Sequence, residues 1–173
     1  MRISLKPIGR IDDEVLRELK ERLKRTFGCP VEITPQISHL NQAYDPKREQ
    51  YFAPVLLEKL KTSARAKDEK ILGIVDVDLY APGLNFVFGE ADIMSGVAII
   101  SLHLLWQEYY GEPADKAKFL DRATKEAVHE MGHTFGLGHC SNAECVMHFS
   151  NSLSDTDRKQ AAFCSQCRPK LIE

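Results

Sequence analysis

Residues 129–139 read His129-Glu130-Met131-Gly132-His133-Thr134-Phe135-Gly136-Leu137-Gly138-His139, and their spacing decides how the rest of the chain is read. Two histidines four residues apart on a helix set their rings side by side. This suits two adjacent corners of a zinc tetrahedron with Zn–N near ~2.0–2.1 Å. The helix is announced upstream, where Asp115 is a good N-cap and Leu120, Ala123, Ala127, Met131 and Phe135 recur at spacings of three and four. At about 100° per residue, His129 and His133 lie roughly 160–200° around from Met131, on the face that carries Lys118, Arg122 and Glu126. That face is expected to point away from the packing stripe and to border a cleft. Gly136, just past the helix, can take the left-handed conformation that ends it and swing His139 back under the metal. Three protein ligands leave a fourth position for water.

Glu130 neighbours a ligand but cannot point at the same corner, so it is better placed to accept a proton from a zinc-bound water than to bind zinc. Zinc lowers the pKa of such a water from about 15.7 to about 7, and Glu-assisted attack of that water on a carbonyl gives metal-assisted hydrolysis. Cys140 follows His139 directly, and with Cys145, Cys164 and Cys167 it forms the pattern C-x4-C, 18 residues, C-x2-C. That pattern reads as a closed, structural four-thiolate zinc site, with disulfides or free thiols as the alternatives. A zinc there would brace the third histidine against the C-terminal segment. Cys29, beside Pro30, reads as a small buried hydrophobe. His148 reads as a solvent-facing turn residue, and His39 and His103 lack partner spacing. Asp76 and Asp78 end a strand and are expected to turn outward rather than to hold calcium.

Upstream, strands alternate with helices. Arg2–Ile8 reads as a strand, and Asp12 or Asp13 can cap a helix with Val15, Leu16, Leu19, Leu23 and Phe27 on one face, ended by Gly28 and Pro30. Val31–Thr34 is a second strand. Asn41–Phe52 is polar, carries Pro46 and reads as a loop, and Pro54 fits the first turn of a helix through Leu56, Leu57 and Leu60. The β-branched run Ile71–Val77 is the expected central strand. After a turn at Pro82-Gly83 come short strands at Leu84–Phe88, a candidate sheet edge, and Val97–Leu102. Trp106, Tyr109 and Tyr110 are expected to pack between the last strand and the metal helix.

The 173 residues suit one domain at about 150 residues each: sheet and metal helix over 1–139, cysteine clip and a C-terminal helix over 140–173. Hydrophobic residues at 43% and charged residues at 28% exclude a disordered chain. A net charge of −2 gives no basic surplus for nucleic acid or anionic membranes. The uncharged stretch Ile93–His103 is too short to span a bilayer, and Met1–Arg10 does not read as a signal peptide. A cytoplasmic protein with reduced cysteines is expected.

The stretch His129–His139 followed by a methionine resembles the HExxHxxGxxH pattern and Met-turn of the metzincin metallopeptidases. Cys140-Ser141-Asn142-Ala143-Glu144-Cys145-Val146-Met147 with Cys164-Ser165-Gln166-Cys167 is similar to the archaemetzincin branch. The resemblance spans Glu126 to Cys167. It implies catalytic zinc on His129, His133 and His139, Glu130 as general base and acid, and Met147 beneath the metal. Its implied fold is a zincin-like α/β arrangement, a twisted mixed sheet with an antiparallel edge strand packed on the active-site helix, with a small zinc-clipped C-terminal subdomain. Some metzincins carry Tyr two residues after that methionine, where this chain has Phe149. The leading expectation is a two-zinc peptidase, monomeric, acting on a peptide or protein lying along a strand edge. The alternatives are a three-histidine metal hydrolase acting on RNA and a non-enzymatic zinc-stabilised interaction module.

Overall fold

The structure, a computed structural model, describes residues 1–38, 40–63 and 68–171, so His39 lies outside the described residues. In chain order the elements are β1 (Arg2–Pro7), α1 (Asp13–Phe27), β2 (Val31–Ile33), β3 (Tyr44–Asp45), β4 (Gln50–Phe52), α2 (Ala53–Lys61), β5 (Glu69–Val75), β6 (Leu79–Tyr80), β7 (Gly89–Asp92), β8 (Val97–Ser101), α3 (Lys116–Thr134) and α4 (Leu153–Arg158). Local chemistry explains the helix ends. The Asp12 carboxylate accepts the Glu14 N–H at 2.7 Å, and Gly28 closes α1 at φ 65°. The Asp115 carboxylate accepts the Lys118 N–H at the start of α3.

The main sheet has the order β2-β1-β5-β8-β7. Its first four strands run parallel and β7 is an antiparallel edge, which is the mixed α/β arrangement expected. Alternation along the strands divides the apolar side chains between two faces. Ile3, Leu5, Leu72, Ile74, Ala98 and Ile100 pack with Leu16, Leu19 and Leu23 of α1 and Ala123, Ala127 and Met131 of α3. Ile71, Val75, Val97 and Ile99 face Leu56, Leu57 and Leu60 of α2. Helix α3 therefore lies on one face of the sheet beside its β8–β7 end.

Several sequence expectations change. Asn41–Phe52 is not plain loop: β3, β4 and β6 form a second, three-stranded sheet. The hairpin is made by a turn the hydrophobic pattern cannot reveal, in which Asp45 accepts the Lys47 N–H and Glu49 takes φ 56°. The edge strand is Gly89–Asp92, not Leu84–Phe88. Asp92 accepts the N–H groups of Met94 and Ser95, and the resulting hairpin registers Asp92 with Val97 and Gly89 with Ile100. Residues 84–88 are instead drawn toward the small sheet, where Arg48 and Gln50 donate to the Asn85 carbonyl. Trp106 stacks on Phe119 of α3 at 3.5 Å, whereas Tyr109 and Tyr110 are exposed.

The polar face of α3 is also not open along its length. Arg122 and Glu126 are buried beneath the segment containing α4. The Arg122 guanidinium forks onto Asp157 at 2.7 and 2.8 Å and donates to the Leu105 carbonyl. The Lys159 Nζ lies 3.0 Å from Glu126 Oε1, an ion pair without aligned hydrogen-bond geometry. The cleft is bordered by the C-terminal part of this face, from Glu126 through His129 and His133.

Candidate active site

The C-terminal turns of α3 and the bend that follows assemble the histidines. His129 Nδ1 lies 2.7 Å from the Val146 carbonyl, and His133 Nδ1 lies 2.7 Å from the Leu137 carbonyl. A carbonyl only accepts, so both Nδ1 atoms carry the proton and both Nε2 atoms keep their lone pairs. Those two Nε2 atoms face each other at 3.1 Å. Two lone pairs so placed repel unless a cation joins them, and the edge of a zinc–imidazole tetrahedron is about 3.3 Å. Gly136 turns the chain at φ 86° and brings the exposed His139 ring to 4.8 Å from that of His133. One ligand nitrogen from each ring falls within a 4.8 Å cluster. The donor set fits zinc.

The four cysteine sulfurs form a second cluster of the same span. Cys140 Sγ and Cys164 Sγ are 3.8 Å apart, matching the edge of about 3.8 Å for a tetrahedron with Zn–S of about 2.3 Å and too long for a disulfide. All four are free thiols. Backbone N–H groups of Gln166 and Cys167 bring the Cys164 thiol down to about 7, whereas burial pushes Cys145 and Cys167 up. This donor set also fits zinc, with no position open.

Burial governs the electrostatics of the histidine site. It pushes His129 down to about 2, helped by the Lys159 ammonium, and lowers His133 and His139 in the same direction. Glu130 is raised well above the usual carboxylate range by burial and then by Glu126 and Glu90, with Lys159 opposing. These groups floor a cleft of about 440 Å³ walled by residues 84–91 and Ile93 on one side and Phe149, Ser150 and Asn151 on the other. Met147 is fully buried with its sulfur against Gly132, where a Cβ would approach within 2.5 Å. His148 is half-buried with Nδ1 2.9 Å from the Cys140 carbonyl, not the solvent-facing residue expected. Cys29 is buried, Asp76 accepts from Trp106, and Asp78 accepts from Gln50. Sequence reading missed Lys159, which carries no motif, and the covered state of Glu126.

The sequence profile of peptidase family M54 matches residues 10–173, and the archaemetzincin of Pyrococcus furiosus is 47% identical, covering 99% of this chain and 92% of that protein. The chain belongs to the archaemetzincin family. The archaemetzincin of Methanocaldococcus jannaschii is 44% identical over 99% of this chain and 93% of its own length. Among solved structures, this archaemetzincin chain is similar to a zinc-dependent peptidase from Methanocorpusculum labreanum, with TM-score 0.89 and 37% identity over 98% of this chain and 99% of that one. It is also similar to the Archaeoglobus fulgidus archaemetzincin complexed with malonate, with TM-score 0.85 and 36% identity over the same shares. The chain is a zinc-dependent metallopeptidase whose histidine triad and four-cysteine cluster fit one catalytic and one structural zinc. The RNA-hydrolase and interaction-module readings are set aside. No helix among the described residues is long and apolar enough to cross a membrane.

Proposed function

We propose that His129, His133 and His139 hold the catalytic zinc, that Glu130 is the general base and acid, and that Cys140, Cys145, Cys164 and Cys167 hold the structural zinc. When bound, the catalytic zinc supplies a Lewis acid that polarises the scissile carbonyl and acidifies a water. Glu130 takes the proton of the attacking water on its carboxylate and returns it to the leaving amine. The Val146 and Leu137 carbonyls keep the imidazole rings in one tautomer and one orientation. Met147 packs under the histidines as the Met-turn residue, and Phe149 offers no hydroxyl to the developing oxyanion. The observation that carries this reading is the pair of unprotonated Nε2 atoms at 3.1 Å beside a buried carboxylate on a cleft floor.

The substrate is an extended peptide or protein segment. Among the described residues β7 is paired only through β8, which leaves backbone groups along the cleft for such a segment. Residues 1–139 and 140–173 act together as one domain, in a cytoplasmic monomer with reduced thiols. Glu130→Ala should retain two zincs per chain by mass spectrometry yet lose hydrolysis of library-selected peptides by at least ~10²-fold. Hydrolysis at wild-type rate in the zinc-loaded variant would remove Glu130 from this role. Light scattering on the eluted protein tests the monomer.

A further inference from the structure

Resting on the reading of Glu130 as the base, we propose that Gly89 is a positioning residue: its missing side chain is what lets the Glu130 carboxylate lie against edge strand β7. Glu130 is buried between α3 and this strand, and among the described residues no group hydrogen-bonds to its carboxylate. Its placement therefore depends on the walls around it, and one wall is bare backbone. A Cβ on residue 89 would come to 2.6 Å from Glu130 Cγ, 2.8 Å from Oε1 and 2.8 Å from the Ile99 carbonyl oxygen. Contacts that close do not occur, so a side chain at 89 must displace something.

The strand is held on its β8 side. Gly89 is in register with Ile100 of β8, the neighbouring Phe88 carbonyl accepts the Ser101 N–H at 2.8 Å, and the buried Phe88 ring meets Phe86 at 5.2 Å. The Ile99 carbonyl is backbone, and its contact costs the same whatever residue stands at 130, whereas the Glu130 side chain borders the open cleft and is free to swing away. A methyl group at residue 89 thus drives the carboxylate out of place while leaving the histidines and the cysteines untouched. A displacement of about 1 Å at a reacting group costs on the order of 10²-fold in rate. Gly89 consequently sets the distance between the base and the strand along which a peptide would run.

The test is a cycle of Gly89→Ala and Glu130→Ala on the zinc-loaded protein, read by peptide kinetics, zinc content and thermal melts. Gly89→Ala should keep two zincs and the wild-type circular dichroism, lose about 100-fold in kcat with KM within about threefold, and melt roughly 5 °C lower. In the Glu130→Ala background, where Cγ and Oε1 are gone, the same substitution should lower Tm by clearly less. If Gly89→Ala does not fold, a folded double variant supports the proposal and an equally unfolded one overturns it. A kcat within threefold of wild type, or equal Tm losses in both backgrounds, also overturns it. A wild-type protein that cleaves no peptide counts against the reading of the base, and the melting cycle still judges Gly89.

Discussion

The buried pair under α4 offers the sharpest test of the energetics. Lys159 has no exposed side-chain surface, Glu126 has 3%, and their charged atoms are 3.0 Å apart, with the Thr156 hydroxyl also donating to Glu126 Oε1 at 3.0 Å. Lys159→Met removes the cation and leaves Glu126 buried with one neutral hydrogen bond. Stranding one member of a buried pair costs about 3–5 kcal/mol, and for a chain of this size each kcal/mol moves Tm by about 2–4 °C, so Tm should fall by roughly 10 °C. Adding Glu126→Leu removes the stranded charge and should return most of that loss, because a buried pair is close to neutral against apolar replacements. The assay is urea denaturation followed by circular dichroism at neutral pH, with both zinc sites saturated so that metal binding adds equally to every variant. A Lys159→Met unfolding free energy within about 1 kcal/mol of wild type, or a double variant no better than the single, would refute the argument.

The two metal centres should separate under chelation. A moderate chelator near neutral pH should remove one zinc of two and abolish hydrolysis with the circular dichroism unchanged, whereas Cys164→Ser should loosen the C-terminal segment; loss of both zincs together with the fold under mild chelation would contradict an open and a closed site. Gly132→Ala, whose Cβ would reach 2.5 Å from the Met147 sulfur, should cost about 1–3 kcal/mol, while Met147→Leu should cost only about 1 kcal/mol and leave zinc bound, both read by denaturation and metal content. In the zinc-free protein His129 resists protonation down to about 2, whereas in the unfolded chain it titrates near 6.5. The unfolded state then binds the extra proton, so the contribution is complete above pH 6.5 and is lost as pH falls toward 2, at about 1.4 kcal/mol per unit. Urea midpoints of the chelated protein at pH 7.5 and 5.5 check the sign.

The histidines and cysteines were legible because metal coordination imposes spacings that survive in one dimension, and α1 and α3 because their caps and apolar stripes are local. What escaped was set by distant chain. Arg122 and Glu126 read as part of a face bordering a cleft because helical periodicity cannot see that Asp157 and Lys159 will cover them. The edge strand shifted from Leu84–Phe88 to Gly89–Asp92 because its register is fixed by the Asp92 turn, while apolar residues at 84–88 serve as a cleft wall. Gly89 has no periodic signature at all. Its role is visible only once Glu130 stands beside it.

The Val146 carbonyl, which accepts the hydrogen bond from His129 Nδ1–H, belongs to the residue immediately after Cys145. The segment between is pinned at its ends, with the Cys140 N–H donating to the Met147 carbonyl and the Val146 N–H to Ala162. The cysteine clip therefore holds the peptide group that orients the His129 imidazole. The two sites are thus mechanically joined through one short stretch of backbone. Loosening the thiolates should free that carbonyl, and with it the ring that leans on it.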